Sequence, residues 1–244
     1  MPLLSIGSDA KTVKGEAYGV LTAVQYLAPG SLSGHNVCPS ASAGCLAGCL
    51  YTAGRGAQNS TQASRLARAA AFFGDRQGYM VAMEREIRLA AANASRKGLQ
   101  LAVRLNGTSD IPWEKVLYTG AHGRTTIIDR FPDVQFYDYS KLAYRFTREL
   151  PDNYDLTFSL SESNDDDALR VLAAGGRVAA VFGNTARPTA KASSGWTLPE
   201  TWGGFPVVDG DTSDIRYKDP AGVIVGLRAK GKATKDSTGF VRWV

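Results

Sequence analysis

The sequence of 244 residues lacks several features that mark special classes of protein. No stretch approaches the ~20 consecutive apolar residues that a helix needs to span a bilayer. Residues 1–8 carry no lysine or arginine and only a short apolar run, unlike a secretory signal peptide. The 26 glycines and 10 prolines fall well short of the share that is typical of low-complexity chains. We therefore expect a folded protein in the cytoplasm.

Residues for hydrolytic and nucleotide chemistry are also scarce. The chain has only two histidines, His35 and His122, and no serine elbow motif, so a serine or cysteine hydrolase has little general base available. A Gly-rich phosphate loop followed by Lys-Ser/Thr is absent, and so is a dinucleotide fingerprint. Three cysteines, Cys38, Cys45 and Cys49, are bunched together and odd in number. In a reducing compartment this pattern indicates a metal or cluster site rather than a disulfide framework.

Positive charge is in excess, with a formal net charge of +5. Residues 1–100 hold 10 Lys/Arg and 5 Asp/Glu. Seven arginines lie in the predicted helical region after the cysteines, namely Arg55, Arg65, Arg68, Arg76, Arg85, Arg88 and Arg96. A second basic segment near the end contains Arg216, Lys218, Arg228, Lys230 and Lys232. These residues form either a solvated helix face or a surface that attracts the phosphates of a nucleotide or nucleic acid.

Strands and helices alternate along the chain. Periodicity predicts strands at 18–27, 101–106, 134–139, 155–160, 178–182, 206–208 and 223–227. It predicts helices at 61–73, 79–97 and 165–174, a short helix at 112–117, and a helix that follows the strand at 134–139 and runs through residue 150. Such alternation favours parallel strands with right-handed crossovers. Because the chain has fewer than eight strand–helix pairs, we predict a single α/β domain over residues 1–244 that forms an incomplete (β/α) barrel of about six parallel strands. A doubly wound open sheet is the alternative.

The cysteine loop at residues 28–51 leaves the first predicted strand at its carboxyl end, where ligands bind in such folds. Gly44 and Gly48 each precede a cysteine and would ease a close backbone approach to sulfur. Zinc could be held by the three cysteines with His35. An iron–sulfur cluster held by the same cysteines would keep one iron open to a small molecule. The spacing alone fits both, and the position after the first strand favours the cluster.

The chain resembles the bacteriophage gene product 88 family. The resemblance is carried by the cysteine segment CPSASAGC with 49–51, by VRLNGTSDIPW (103–113), FYDYSK (136–141), PVVDGDTSD (206–214) and VIVGLRAKG (223–231). The three-cysteine loop also resembles that of radical S-adenosylmethionine enzymes, although the usual spacing there is x3 and x2, and here it is x6 and x3. An aromatic residue normally precedes the last cysteine of that loop, whereas Gly48 does so here.

The radical enzyme resemblance implies a radical-SAM-like barrel and a set of site residues. It makes Cys38, Cys45 and Cys49 the ligands of a 4Fe–4S cluster and S-adenosyl-L-methionine the cofactor bound to it. It places Asn106, Ser109 and Asp110 at the amino acid end of that cofactor. Ser159 and Glu162, after a later strand, are predicted to line the same site. Tyr137, Tyr139 and Lys141 would face the substrate from the end of their strand.

Two functions of different classes remain open at this point. The first is an iron–sulfur enzyme that acts on a nucleotide or another small substrate. A variant of this hypothesis is an iron–sulfur protein with a radical-enzyme fold that no longer uses the cofactor. The second is a non-catalytic protein in which an iron–sulfur or zinc staple supports a nucleic-acid-binding surface. For a phage-encoded chain, the expected location is the host cytoplasm, with no membrane partner.

Overall fold

The computed structural model describes residues 1–7, 10–186 and 196–244, which fall into two compact units. The first unit contains Met1–Pro39, Gln62–Asp138 and Glu149–Asp155. The second unit contains Ser40–Thr61, Tyr139–Arg148 and Leu156–Val244. No helix in the described part of the chain is long and apolar enough to cross a membrane.

The predicted strands are present with shifted ends, and so are the helices predicted at 61–73, 79–97 and 165–174. The helices predicted at 112–117 and up to residue 150 are instead the short 3₁₀ segments Trp113–Lys115 and Ala143–Thr147. The helices are α1 Ala10–Glu16, α2 Ala43–Ala47, α3 Asn59–Gly74, α4 Arg76–Arg96 and α5 Asp165–Ala173. The strands are β1 Leu4–Ile6, β2 Val20–Gln25, β3 Gln100–Arg104, β4 Leu117–Gly120, β5 Gly123–Thr126, β6 Gln135–Ser140, β7 Tyr154–Ser159, β8 Arg177–Gly183, β9 Thr201–Trp202, β10 Phe205–Asp209, β11 Ile224–Arg228 and β12 Val241–Trp243.

The strands form a mixed ten-stranded sheet, and β4 and β5 make a separate two-stranded sheet. Strand β1 pairs with β2 in the antiparallel direction, and β9 pairs with β10 in the same way. No barrel is found among the described residues, so the prediction of a radical-SAM-like partial barrel with about six parallel strands is wrong. Strands of two or three residues such as β9 and β1 are too short to give a periodic signal, which is why the mixed edges escaped prediction.

In the first unit, β2 and β3 pair in parallel, and β3 pairs in parallel with β6. Every residue of β2 is buried, which suits a strand covered on both faces. Helix α4 begins at the N-cap Asp75, whose carboxylate accepts a hydrogen bond from the Gly78 N–H at 2.9 Å. It buries Met80, Met83 and Ile87, which recur at helical spacing.

In the second unit, β8 lies between β7 and β11 and is parallel to both. Strand β7 pairs with the first residues of β8, up to Ala179, and β12 pairs in parallel with Val181–Gly183. Strand β11 pairs with β8 along Val178–Phe182 and so occupies one edge of β8. Strand β12 therefore pairs with the other edge of β8, beyond the point at which the pairing with β7 ends at Ser159. The last strand of the chain therefore lies beside the segment that follows β7.

Candidate functional site

The three cysteines take part in packing and turn contacts. In the first unit, the Cys38 thiol accepts a hydrogen bond from the Gly30 N–H at 3.4 Å and donates to the Thr108 carbonyl at 3.7 Å. In the second unit, Cys45 lies in α2 and packs against a buried apolar cluster that contains Phe240 and Val241. Cys49 precedes a short 3₁₀ helix, and its carbonyl accepts from the Thr52 hydroxyl at 3.1 Å.

Glycine allows the cysteine loop to pack closely, but not against a metal. A Cβ atom built at Gly44 would lie 2.2 Å from the Thr238 hydroxyl oxygen and 2.6 Å from the Phe240 Cβ. At Gly48 it would lie 3.3 Å from the Ala233 Cβ. The prediction at these two glycines is a close approach of the backbone to sulfur. The atoms that lie close to them belong instead to side chains of Ala233, Thr238 and Phe240.

The described residues contain no group of three or more His, Cys, Asp or Glu side chains that could hold a metal ion. All three cysteines are among the described residues and carry free thiols. The residues thus do not fit a 4Fe–4S cluster, and the prediction of that cofactor is wrong. The predicted S-adenosyl-L-methionine depends on the open iron of that cluster, so the prediction of this cofactor is wrong as well.

Glu162 fastens helix α2 to the segment after β7. Its carboxylate accepts a hydrogen bond from the Ser42 hydroxyl at 2.6 Å and another from the Gly44 N–H at 2.7 Å. The Ser42 hydroxyl, as the N-cap of α2, in turn accepts from the Cys45 N–H at 3.2 Å. Burial alone would raise the pKa of Glu162, but these hydrogen bonds to the ionised form outweigh it and hold the pKa below its ordinary value.

The structure brings Asn106 and Ser109 together in the first unit. The Asn106 Oδ1 accepts from the Ser109 hydroxyl at 2.8 Å, the Ile111 N–H at 2.9 Å and the Trp113 indole N–H at 3.0 Å. The Asn106 Nδ2 donates to the Ile111 carbonyl at 2.9 Å. These bonds fix the turn after β3, in which Asp110 is also buried. The role of Asn106, Ser109 and Asp110 in ligand binding stays a prediction.

The predicted substrate-facing residues of β6 fall into different surroundings. Tyr137 is fully buried in the first unit, whereas Tyr139 and Lys141 are half-buried in the second. The Lys141 ammonium donates to the Ser159 hydroxyl at 2.6 Å and lies 5.8 Å from the centre of the Phe240 ring. Lys141 and Ser159 are thus brought together, while the contacts of Glu162 are with α2.

Charge divides unequally between the two units. Among the described residues, the first unit contains 13 Lys/Arg and 12 Asp/Glu, and the second contains 13 Lys/Arg and 10 Asp/Glu. Most of the excess positive charge of the described residues therefore belongs to the second unit. The linear distribution suggests the opposite, because the arginine-rich helices α3 and α4 belong mostly to the nearly neutral first unit.

Several cations of the second unit face a carboxylate. Arg228 makes two bonds of 2.9 Å to the Asp209 carboxylate, and Lys230 lies 2.6 Å from Asp211. Arg216 lies 3.1 Å from Asp219, and Arg242 is paired with Asp165. The Asp209–Asp211 segment is consequently neutralised by its own neighbours. It does not present an acidic surface.

Lys232 and Lys235 differ from these four cations. Both are exposed, and neither has an ionic or hydrogen-bonding partner among the described residues. They lie on the 3₁₀ helix Gly231–Lys235, which packs against the 3₁₀ helix Leu50–Thr52 of the cysteine loop. At three residues apart on a 3₁₀ helix, the two side chains point in the same direction.

The contact between the two short helices is tight. Gly231 has a φ of +59°, and a Cβ atom there would lie 2.9 Å from the Ala53 Cβ. Arg55, two residues after Ala53, is also exposed. Neither 40–61 nor 229–235 contains an aspartate or glutamate. We call Arg55, Lys232 and Lys235 the basic face of the second unit. Sequence reasoning missed Lys235, which the i, i+3 spacing from Lys232 could have indicated.

Comparison with known proteins gives one match. A sequence model of the family described as Gene product 88 matches residues 2–242. No curated protein and no solved structure matches the chain. The resemblance to radical S-adenosylmethionine enzymes receives no support from these comparisons.

Proposed function

We propose that this chain, which belongs to the Gene product 88 family, binds nucleic acid through the basic face of its second unit. The observation that carries the proposal is the excess of positive charge in that unit, whose described residues include 13 Lys/Arg and 10 Asp/Glu. Exposed Lys232 and Lys235 are available within it, because no described carboxylate faces them. The binding would be to the phosphate backbone and not to particular bases.

Electrostatics favours this assignment over a merely solvated surface. A cation already paired with a carboxylate gains little from a phosphate, since the new contact replaces an old one. Lys232 and Lys235 need break no such pair. Lysine is a compact point charge that suits phosphates without reading the sequence. Neutralised phosphates release counterions, so the affinity must fall steeply as salt is raised.

The test is a comparison of two double charge reversals in the full chain. The first, Lys232→Glu with Lys235→Glu, changes the basic face. The matched control, Arg85→Glu with Arg96→Glu, changes two exposed cations of α4 in the nearly neutral first unit by the same total charge. Binding to a labelled oligonucleotide of about 30 nucleotides is measured by fluorescence anisotropy between about 50 and 200 mM salt.

We expect the basic-face variant to lose at least about tenfold in affinity and to reduce the salt slope by about 1.5–2. The control should lose only the few-fold that follows from a lower net charge. Equal losses in both variants would assign the effect to overall charge and contradict the basic face. Failure of the unaltered protein to bind at about 50 mM salt would refute nucleic-acid binding itself.

A second candidate function, chemistry on a nucleotide, is favoured by the pairing of Lys141 with Ser159 at 2.6 Å. Ser159 is the last residue of β7, and ligands of parallel sheets bind at the carboxyl ends of strands. An ammonium beside a hydroxyl can hold a phosphate group through charge-assisted hydrogen bonds. Calorimetry with a nucleoside triphosphate tests this, because Lys141→Met should abolish the binding and Ser159→Ala should weaken it. An unaltered heat signal in Lys141→Met would reject this candidate.

A further inference from the structure

We propose that His35 and Phe73 form a stacking platform for an unpaired base of single-stranded nucleic acid. The proposal rests on the proposed nucleic-acid binding and names the form of nucleic acid that the chain prefers. The two rings lie in the first unit, with centroids 4.1 Å apart and planes inclined by 13°. His35 is exposed and Phe73 is half-buried, so the outer face of the imidazole is the face turned to solvent.

The platform is anchored in the core of the first unit. Phe72 meets Phe73 edge-on at 5.1 Å, and it also contacts Tyr79 at 5.3 Å and Trp113 at 5.2 Å. Trp113 is fully buried. A ring that is supported in this way loses little conformational freedom when another ring stacks on it. Preorganisation of this kind increases affinity because less ordering remains to be done on binding.

The loop that carries His35 is also fixed at both ends. The Val37 N–H donates to the Gly30 carbonyl at 3.0 Å, and the Val37 carbonyl accepts from the Asp110 N–H at 2.8 Å. The Asn36 side chain accepts from the Cys38 N–H at 2.9 Å. Val37 itself is fully buried. Packing alone explains poorly why an aromatic ring is exposed on a loop that is held this firmly.

The charge around the platform suits a nucleic acid strand. Within the first unit, residues 17–39 and 62–74, which include both rings, contain no aspartate or glutamate, although Asp75 follows directly and Asp110 bonds to Val37 through its backbone. The guanidinium of the exposed Arg76 lies 5.2 Å from the centre of the Phe72 ring. Bases stack on histidine and phenylalanine regardless of their identity, because every base has a π-face. In a duplex these faces are already stacked on one another, so the platform selects single strands.

The experiment compares a labelled oligothymidine of about 20 nucleotides with an abasic oligomer of equal length and with a duplex. His35→Ala should weaken oligothymidine binding by about tenfold and leave abasic and duplex binding within about twofold. His35→Trp should restore the affinity, and its fluorescence should be quenched on binding. Leu32→Ala, at an exposed position of the same loop, is the matched control.

The outcomes separate this inference from the function on which it rests. Equal loss of oligothymidine and abasic binding in His35→Ala, or no recovery in His35→Trp, would overturn the stacking platform. If oligothymidine binding depends on Lys232 and Lys235 but not on His35, the result supports nucleic-acid binding by the basic face and contradicts the stacking platform. If the unaltered protein binds none of the three probes, the proposed function and the platform fail together.

Discussion

The two units differ in how far their carboxylates balance their cations. In the first unit the two kinds of charge are nearly equal in number, and several cations have internal partners: Arg65 lies 4.7 Å from the centre of the Tyr26 ring, and Arg130 is 3.0 Å from Glu84, although Arg85 and Arg96 on α4 are exposed. In the second unit, carboxylates are fewer than cations, and Lys232 and Lys235 remain exposed. The difference teaches that an arginine-rich segment need not be a binding surface. What counts is whether the fold supplies each cation with a partner.

The units also use their carboxylates differently. In the first unit, Glu84 is buried and holds side chains of two other segments, Tyr118 and Arg130. In the second unit, Glu162 and Asp236 accept hydrogen bonds mainly from backbone N–H groups and hydroxyls at turns. Removing one partner of a buried ion pair lowers the stability strongly, because the other charge is left unpaired. Removing a capping carboxylate lowers the stability less. The comparison therefore predicts a graded series of effects.

The largest effect is expected from Glu84→Gln in the first unit. The amide removes the charge that compensates Arg130, whose side chain is 19% exposed. We expect a loss of about 2–3 kcal/mol in the free energy of unfolding. Urea denaturation measures it, with the exposed Glu149→Gln of the same unit as the control. A loss no larger than that of the control would remove the distinction between the units.

The same carboxylate predicts a pH dependence. Burial alone would raise the pKa of Glu84, but hydrogen bonds from Tyr118, Arg88 and Arg130 outweigh it and lower the pKa to about 2. A carboxyl group whose pKa is depressed by folding stabilises the protein above its unfolded pKa, and the contribution is lost as the pH falls through the folded value. The stability difference between the unaltered protein and Glu84→Gln should therefore shrink between about pH 4.5 and pH 2. Urea midpoints across this range measure it, and a constant difference would contradict the assignment.

A smaller effect is expected from Glu162→Ala in the second unit. The change removes the acceptor of the Ser42 hydroxyl and the Gly44 N–H, so α2 loses its attachment to the segment after β7. We expect a loss of about 1–2 kcal/mol, because the groups involved are partly buried and uncharged. Cys45 should react faster with a thiol reagent once α2 is loosened. Glu200→Ala, at an exposed position of the same unit, should change neither quantity.

The sequence is informative where side chains repeat with a clear period. The apolar spacing of Met80, Met83 and Ile87 predicts α4, and the structure confirms it. The acidic run after Asn164 predicts the start of α5, and the helix begins at Asp165. Asn164 is the N-cap residue of this helix but makes no side-chain capping hydrogen bond, because its side-chain oxygen accepts from the Ser161 N–H at 2.7 Å instead. Local rules thus located the helix end but not the partner of each polar atom.

The sequence does not predict contacts between residues that are far apart along the chain. The hairpin of β4 and β5 was missed, because Leu117–Gly120 and Gly123–Thr126 show no apolar alternation. Strand β12 depends on pairing with β8, more than fifty residues earlier in the chain. The cysteines suggested a cluster because their spacing is compact in sequence. In space, Cys38 contacts Thr108 and Cys45 contacts Phe240, and no sequence motif predicts either contact.

The smallest effect is expected from replacing all three cysteines by serine. The Cys38 thiol makes contacts that a hydroxyl can also make, and the bond from Thr52 to Cys49 is to the backbone carbonyl, which the substitution keeps. Serine at position 45 would place a polar group against the apolar cluster of Phe240. We expect a total loss of about 1 kcal/mol and nucleic-acid affinity within about twofold of the unaltered protein. Thermal unfolding with added zinc, or with iron and sulfide under anaerobic conditions, completes the test. Because a structural metal contributes folding energy, a metal-dependent rise in the melting temperature that disappears in the triple variant would restore the cysteines as ligands. Equal melting curves with and without metal would assign them to packing, as the contacts of Cys45 already indicate.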